Sequence, residues 1–411
     1  MYDRAFFDRS IDRRGTACEK WDVAMARDAR VSNPMWVADM DFRCPDEVVN
    51  ALCERAAHPV YGYTEQTDRA VEAMLDFMER RHGLKLTPSE QIMLPCVVSG
   101  LKAAVQAFTQ PGDRIIVQPP VYGPFSASAR DNGREVAECP LRRDDAGRYT
   151  MDLQSVEDAC RAGARMMFLC SPHNPVGRVW SREELKALFA VLARYDVLLV
   201  SDEIHEDFVY RPGTFVPALD LAVEAGVRAI SMTSASKTFN LAGLQQATAF
   251  CRDRALLDRL EKTLRDAGVV SGNIFGMTAT EAAFAHGDAW LDAMLDYVAE
   301  GYAIFRQEME ARLPGAVLTP LEQFLRERIP QIRMIPSEGT YLGWLDLRAW
   351  GLTTAQLMER TRAAGVELTP GTFFGADAGE GFLRVNLACP HERVRLAAEQ
   401  IERALKQQDE K

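Results

Sequence analysis

The 411-residue chain is 47% hydrophobic and 26% charged, the balance of a folded globular protein rather than of a disordered or fibrous one. Its formal net charge of -11 excludes a dominant nucleic-acid surface, because phosphate binding needs concentrated Lys and Arg. No run nears the roughly 18 apolar residues of a membrane helix, and Met1 to Ser10 has no apolar signal core, so a cytoplasmic protein with no membrane partner is expected.

This length is too great for one ordinary core, which points to two unequal domains. The reading is an N-terminal segment, residues 1–49, joining a smaller C-terminal domain of residues 291–411, with a large domain at 50–290. Nine cysteines run from Cys18 to Cys389 without a C-x-x-C pair, which suggests reduced thiols. The six histidines form no H-E-x-x-H pattern, so no metal is expected.

Along the chain, an amphipathic stretch from Leu101 to Phe108 ends at Pro111 and Gly112, and the apolar run Arg114 to Gln118 follows as a strand. Met166 to Cys170 reads as a second strand. Ser181 with Glu184 forms a capping box that opens a helix through Leu192. Val197 to Val200 and Arg228 to Met232 are further buried strands. This alternation predicts an α/β fold, a mostly parallel sheet with helices on both faces. Ligands of such sheets gather outside the carboxyl ends of the strands. Beyond residue 291 lie long helical patterns, a strand at Tyr341 to Asp346, a helix capped by Thr353 with Gln356 and stopped at Gly365, and a last helix from His391.

Chemistry concentrates where those strands end. Lys237 stands in Ser234-Ala235-Ser236-Lys237-Thr238-Phe239-Asn240, among hydroxyls and small residues. Its amine suits Schiff-base chemistry and the hydroxyls suit a phosphate, although a surface lysine fits the same letters. Asp202 follows an apolar strand, from which a carboxylate can be aimed to keep a pyridine nitrogen protonated; a helix cap is the alternative. Asn174 lies in the stiff loop Ser171-Pro172-His173-Asn174-Pro175-Val176-Gly177 and can donate to a phenolic oxygen. Ser99-Gly100-Leu101-Lys102 reads as a small-residue turn opening a helix, where free amides receive a phosphate. Tyr122 offers a face for stacking on a flat ring or for packing in the core.

Together these segments resemble fold-type I pyridoxal-phosphate enzymes of the class I/II aminotransferase superfamily. More narrowly, Met35-Trp36-Val37-Ala38-Asp39-Met40-Asp41-Phe42, Tyr61-Gly62-Tyr63-Thr64, Pro172 to Trp180, Asp202 to His205, Ser236 to Asn240 and Asn273-Ile274-Phe275-Gly276 resemble the MalY/PatB group of cystathionine β-lyases and related cysteine C–S lyases. The resemblance implies a large domain with a mostly parallel seven-stranded sheet plus a smaller α+β domain. It implies Lys237 as the Schiff-base lysine, Asp202 on the pyridine nitrogen, Asn174 on the ring oxygen and Tyr122 over the ring. It places the phosphate at Gly100, Leu101 and Ser234, with Ser236 also among the cofactor-binding residues and Tyr61 reaching in from a second subunit of a homodimer. Arg384 matches the arginine for the substrate α-carboxylate, with Asn174 and Tyr122 beside the substrate, and His205 lies near the ring oxygen. Where aminotransferases of this superfamily commonly place a phosphate-binding arginine, the chain has Gln245, which tilts the expectation to a lyase acting on an amino-acid thioether. An aminotransferase is the alternative. A regulatory binding protein is a second one, since one member of the group also restrains a transcription activator.

Overall fold

The computed structural model describes residues 2–145, 147–269, 272–313, 333–334 and 337–406. Seven short strands build the main sheet: β1 (Gln91–Leu94), β2 (Arg114–Val117), β3 (Glu135–Glu138), β4 (Ala164–Cys170), β5 (Leu198–Asp202), β6 (Ala229–Thr233) and β7 (Ala247–Phe250). Their order is β1-β7-β6-β5-β4-β2-β3. The pairs from β6 to β3 are parallel, and β7 runs antiparallel to both its neighbours.

The sheet is central because its strands bury side chains on both faces. Met166, Phe168 and Cys170 of β4 pack into one apolar cluster, with Ile115, Val117, Val200 and Ile230. Met167 and Leu169, one residue out of step, join the opposite cluster with Ile116 and Leu199. Period-two alternation of uniformly apolar residues fills two cores at once, which is why these strands read as continuous hydrophobic runs. Helices such as Val97–Phe108 and Arg182–Arg194 cover the faces. In the second, the Ser181 amide donates to Glu184 Oε2 at 2.9 Å and the Glu184 amide to Ser181 Oγ at 3.2 Å, the capping box predicted there.

A second sheet, β8 (Arg333–Met334), β9 (Leu342–Asp346), β10 (Thr369–Pro370) and β11 (Phe382–Asn386), has the antiparallel order β8-β9-β11-β10 and packs with the helix His391–Lys406 in its own apolar cluster. The helix Asp288–Arg312 runs across residue 291. Among the described residues no helix is long and apolar enough to cross a membrane.

The N-terminal segment is pinned to this second layer. Asn33–Pro34 pairs in parallel with Val366–Glu367. The Asn386 side chain then donates to Val37 O and Asp39 O, both at 2.6 Å. Asp41, nearly fully buried, accepts from Lys20, Arg13, Arg393 and the Trp21 indole. Three cations and an indole on one carboxylate hold it ionised well below the usual range, against the cost of burial. Residues 36–41 are thereby laid across the carboxyl ends of the main strands.

Candidate active site

β5 ends at Asp202, β6 leads into the short helix Ala235–Thr238 that carries Lys237, and β4 leads into the loop bearing Asn174. The three segments are adjacent because their strands are adjacent, so parallel topology alone gathers them at one edge. Arg384 comes from β11 of the other sheet and reaches the same place.

Lys237 is half-buried, and its Nζ donates to Ala38 O at 2.6 Å. Tyr341 Oη donates to that same carbonyl at 2.9 Å. Burial lowers the Lys237 amine to about 8; Asp39 and Asp202 oppose the shift and Arg384 reinforces it. An amine in that range is partly neutral near physiological pH, as a nucleophile or base must be.

Asp202 is 5% exposed and accepts the Ile204 amide at 3.1 Å. Desolvation pushes its carboxyl up to about 7, although the Ile204 amide and Lys237 pull the other way. A carboxyl so deeply buried becomes a stable carboxylate beside a cation, such as a protonated ring nitrogen.

Arg384 is also buried. Its guanidinium donates to Asn174 Oδ1 at 3.3 Å, to Trp36 O at 2.6 Å and to Thr369 Oγ1 at 3.1 Å, and it stacks 5.0 Å from the Phe374 ring centroid. Its Nε is buried without a partner among the described residues. Burial lowers Arg384 to about 10, which leaves it charged at neutral pH. Because Asn174 offers its oxygen to Arg384, its amide NH2 is left to donate elsewhere, as a contact to a phenolic oxygen requires.

Tyr122 follows β2 and packs edge-on against Phe373, with ring centroids 6.1 Å apart. Burial, then Asp202, raises its phenol above the ordinary value, so it remains protonated. His205 lies between Phe208 and Tyr341, at 6.1 and 5.8 Å, and its buried Nδ1 has no partner among the described residues. Desolvation, with Lys237 and Arg384 nearby, lowers it to about 3, so the ring is neutral.

The aminotransferase class I and II family model matches residues 37–401. The chain belongs to the aminotransferase class I and II family. It is 37% identical to the cystathionine beta-lyase PatB of Bacillus subtilis, over 97% of this chain and 99% of that protein. The crystal structure of cystalysin from Treponema denticola, which contains a pyridoxal 5'-phosphate cofactor, superposes with a TM-score of 0.90 at 30% identity, covering 99% of each chain. A PLP-bound C–S lyase from Staphylococcus hominis gives a TM-score of 0.83 at 30% identity, over 97% of this chain and 98% of its own. These relatives bear out both the MalY/PatB-type resemblance and the expected fold.

Within this class I/II frame, the sequence reading of the phosphate end needs correction. The helix opens at Val97, with Cys96 as its cap, and not at Gly100. The Gly100 amide already donates to Cys96 O at 3.2 Å, and Leu101 lies one residue deeper in the helix. The leading amides are those of Val97 and Val98, which precede any helical acceptor, and they are the donors a phosphate can use. Gly100 is small for a packing reason: a Cβ there would stand 2.6 Å from Leu94 Cδ1 and 2.8 Å from Met232 Sδ.

Ser234 also has partners within the chain. Its hydroxyl donates its proton to Gln246 O at 2.5 Å while accepting the Ser236 amide at 3.0 Å, so it caps the lysine helix. Ser236, which precedes Lys237 in the chain, is half-buried. Gln245 turns away: it is exposed, sits at φ 50°, and bonds back to Ala242 O at 3.1 Å. Tyr61 is 57% exposed, with its hydroxyl on Ala56 O at 2.6 Å and its ring 5.9 Å from Phe275, so it does not join the pocket of its own chain.

Motif reading passed over Ala38, Asp39, Thr369 and Tyr341. Ala38 and Asp39 lie inside the Met35–Phe42 motif, the one signal that marked them.

Proposed function

We propose that this chain is a pyridoxal-phosphate-dependent C–S β-lyase that cleaves L-cystathionine or a related cysteine S-conjugate into a thiol, pyruvate and ammonia. The observation that carries the proposal is a single amine, Lys237 Nζ, acted on by the charges of the buried Asp202 and Arg384, in a chain 37% identical to a cystathionine beta-lyase.

The donor set suits the cofactor. Lys237 offers an amine for its aldehyde, Asp202 a carboxylate for its ring nitrogen, Asn174 an amide NH2 for its phenolic oxygen, Tyr122 a face for its ring, and the Val97 and Val98 amides with Ser236 a cradle for its phosphate. When bound, the cofactor supplies an electron sink that stabilises negative charge at the Cα of an amino acid. Asp202 keeps that sink effective by holding a proton on the ring nitrogen. Arg384 grips the substrate α-carboxylate and fixes the Cα–H direction, as a planar two-pronged donor does. Lys237 Nζ then takes the Cα proton, the sulfur on Cβ departs as thiolate, and the unsaturated amine that is released takes up water to give pyruvate and ammonia. Tyr341 and Lys237 share Ala38 O, which ties the free amine to the N-terminal segment.

The working unit is a homodimer in this reading. Val60, Tyr61 and Tyr63 are 62%, 57% and 103% exposed, an apolar patch suited to a second copy and to delivering Tyr61 across the interface. The nine free cysteines suit a reducing cytoplasm.

Incubation with cystathionine, with and without a 2-oxo acid, tests the assignment. Pyruvate release that exceeds amino transfer is expected, and dominant transfer would assign an aminotransferase instead. A regulatory binding role would persist in a Lys237→Ala variant that releases no pyruvate.

A further inference from the structure

A second polar cluster lies under the Lys237 segment, apart from the pocket. His82 ends the helix Asp68–His82, while Glu206 and Asp207 come from the turn that follows Asp202. Their ligand atoms lie within 4.8 Å of one another. The His82 and Asp207 side chains are 5% and 1% exposed, and Glu206 is buried with them. His82 Nε2 is 3.0 Å from Asp207 Oδ1, with Phe77 and Phe215 edge-on to the imidazole.

Two threonines tie this cluster to the reactive lysine. Thr233 Oγ1 donates to Glu206 Oε1 at 2.5 Å, and Thr238 Oγ1 donates to Asp207 Oδ2 at 2.6 Å. Thr233 and Thr238 are the residues on either side of Ser234–Lys237. The carboxylates sit in the turn that follows Asp202 and also carries His205. One cluster therefore fastens both ends of the amine's segment to the loop of the ring-facing carboxyl, and anchors the two on the helix Asp68–His82.

We propose that His82, Glu206 and Asp207 are positioning residues that hold Lys237 in register with Asp202. The inference rests on the reading of Lys237 as the cofactor-binding amine.

The charge balance of the cluster supports a rigid clamp. Burial disfavours an imidazolium at His82, yet Glu206 and Asp207 outweigh it, over a small opposing effect of Arg81, and raise His82 to about 9. Burial likewise raises the Glu206 carboxyl; Asp207 and Glu203 add to that rise, while His82 and the Thr233 bond oppose it. A protonated Glu206 beside a His82–Asp207 ion pair leaves no net charge, the least costly state for three ionisable groups out of water. Such a trio also has the donor types of a metal site. The 3.0 Å Nε2 to Oδ1 separation fits a direct hydrogen bond from the imidazolium to the carboxylate.

The test uses holoenzyme carrying Thr238→Val, which removes the hydroxyl at nearly constant volume, and Thr238→Ser, which keeps it. Valine is expected to lower kcat for the thioether by about tenfold with KM little changed, the signature of a slightly misplaced reacting group. It should also move the pH midpoint of the cofactor's visible absorption change, and serine should restore both. His82→Gln and Asp207→Asn should repeat the valine result, and they keep the idea refutable if the valine variant fails to fold. Unaltered kcat and an unaltered midpoint in folded variants, with borohydride still fixing the cofactor to Lys237, would overturn the inference. So would one equivalent of divalent metal, bound to the wild-type enzyme and lost from His82→Gln. A wild-type enzyme unlabelled at Lys237 would overturn the reading beneath it as well.

Discussion

Replacing Asp202 by Asn keeps the shape of the side chain and removes its charge. In the protein, burial lifts this carboxyl from 3.8 to about 7, a rise of about three units, or ~4 kcal/mol set against ionisation. A ring cation at roughly 3 Å, at an effective dielectric near 20, attracts a carboxylate by ~5 kcal/mol. The attraction just exceeds the burial cost, so the ion pair forms when the cofactor is present. Asparagine forfeits the full ~5 kcal/mol attraction and leaves the ring cation unpaired, which in the transition state corresponds to a fall in kcat on the order of a thousandfold or more. Pyruvate release from cystathionine, followed through coupled NADH oxidation, measures this directly, with cofactor occupancy read from absorbance on the same sample. A fully loaded Asp202→Asn enzyme within tenfold of wild-type kcat would refute the reasoning.

Three other outcomes follow from the same geometry. Arg384→Lys exchanges a planar two-pronged donor for a point charge, so steady-state kinetics should show KM raised by about ten- to a hundredfold, the loss of one charge-assisted bond. Only a neutral amine attacks an aldehyde, and Lys237 is lowered to about 8, so stopped-flow capture of pyridoxal phosphate by apoenzyme should speed up with pH, reach half its maximum near 8 and level off about one unit above. A rise continuing towards 10 would contradict that, and Asp39→Asn, which removes a charge that raises the amine, should bring the plateau to lower pH. Gly100→Ala forces Leu94 and Met232 aside and should cost about 1 to 3 kcal/mol, seen as a Tm several degrees lower.

The sheet was legible because its strands are buried on both faces. Runs such as Val197–Val200 have no polar interruption, and the punctuation by Gly, Pro and capping residues located the helices between them. Observed ends differ by a residue or two, as at β5, which extends to Asp202 because the carboxylate stays in register opposite Cys170. Lys237, Asp202, Asn174 and Arg384 were legible because each sits in a motif with its own chemical reason. The phosphate end was misread for a physical cause. Ser99-Gly100 looks like a turn, whereas the cap is Cys96, whose Sγ accepts the Ser99 amide at 3.4 Å, and the glycine answers to a tight contact two strands away. The partners of the amine were hidden by distance along the chain: Ala38 lies 199 residues before Lys237, and Tyr341 lies 303 residues after Ala38. No local pattern marks a carbonyl as an acceptor, and Tyr341 read only as the start of a strand. The His82 cluster was illegible for the same reason, since its members are separated by 125 residues and meet through packing alone.

The central claim is that one amine of this chain holds the cofactor. Borohydride reduction of the enzyme with pyridoxal phosphate, followed by peptide mapping, should place the pyridoxyl group on Lys237, and Lys237→Ala should take up no label and release no pyruvate. Label on a different lysine, or substantial turnover by Lys237→Ala, would contradict the account.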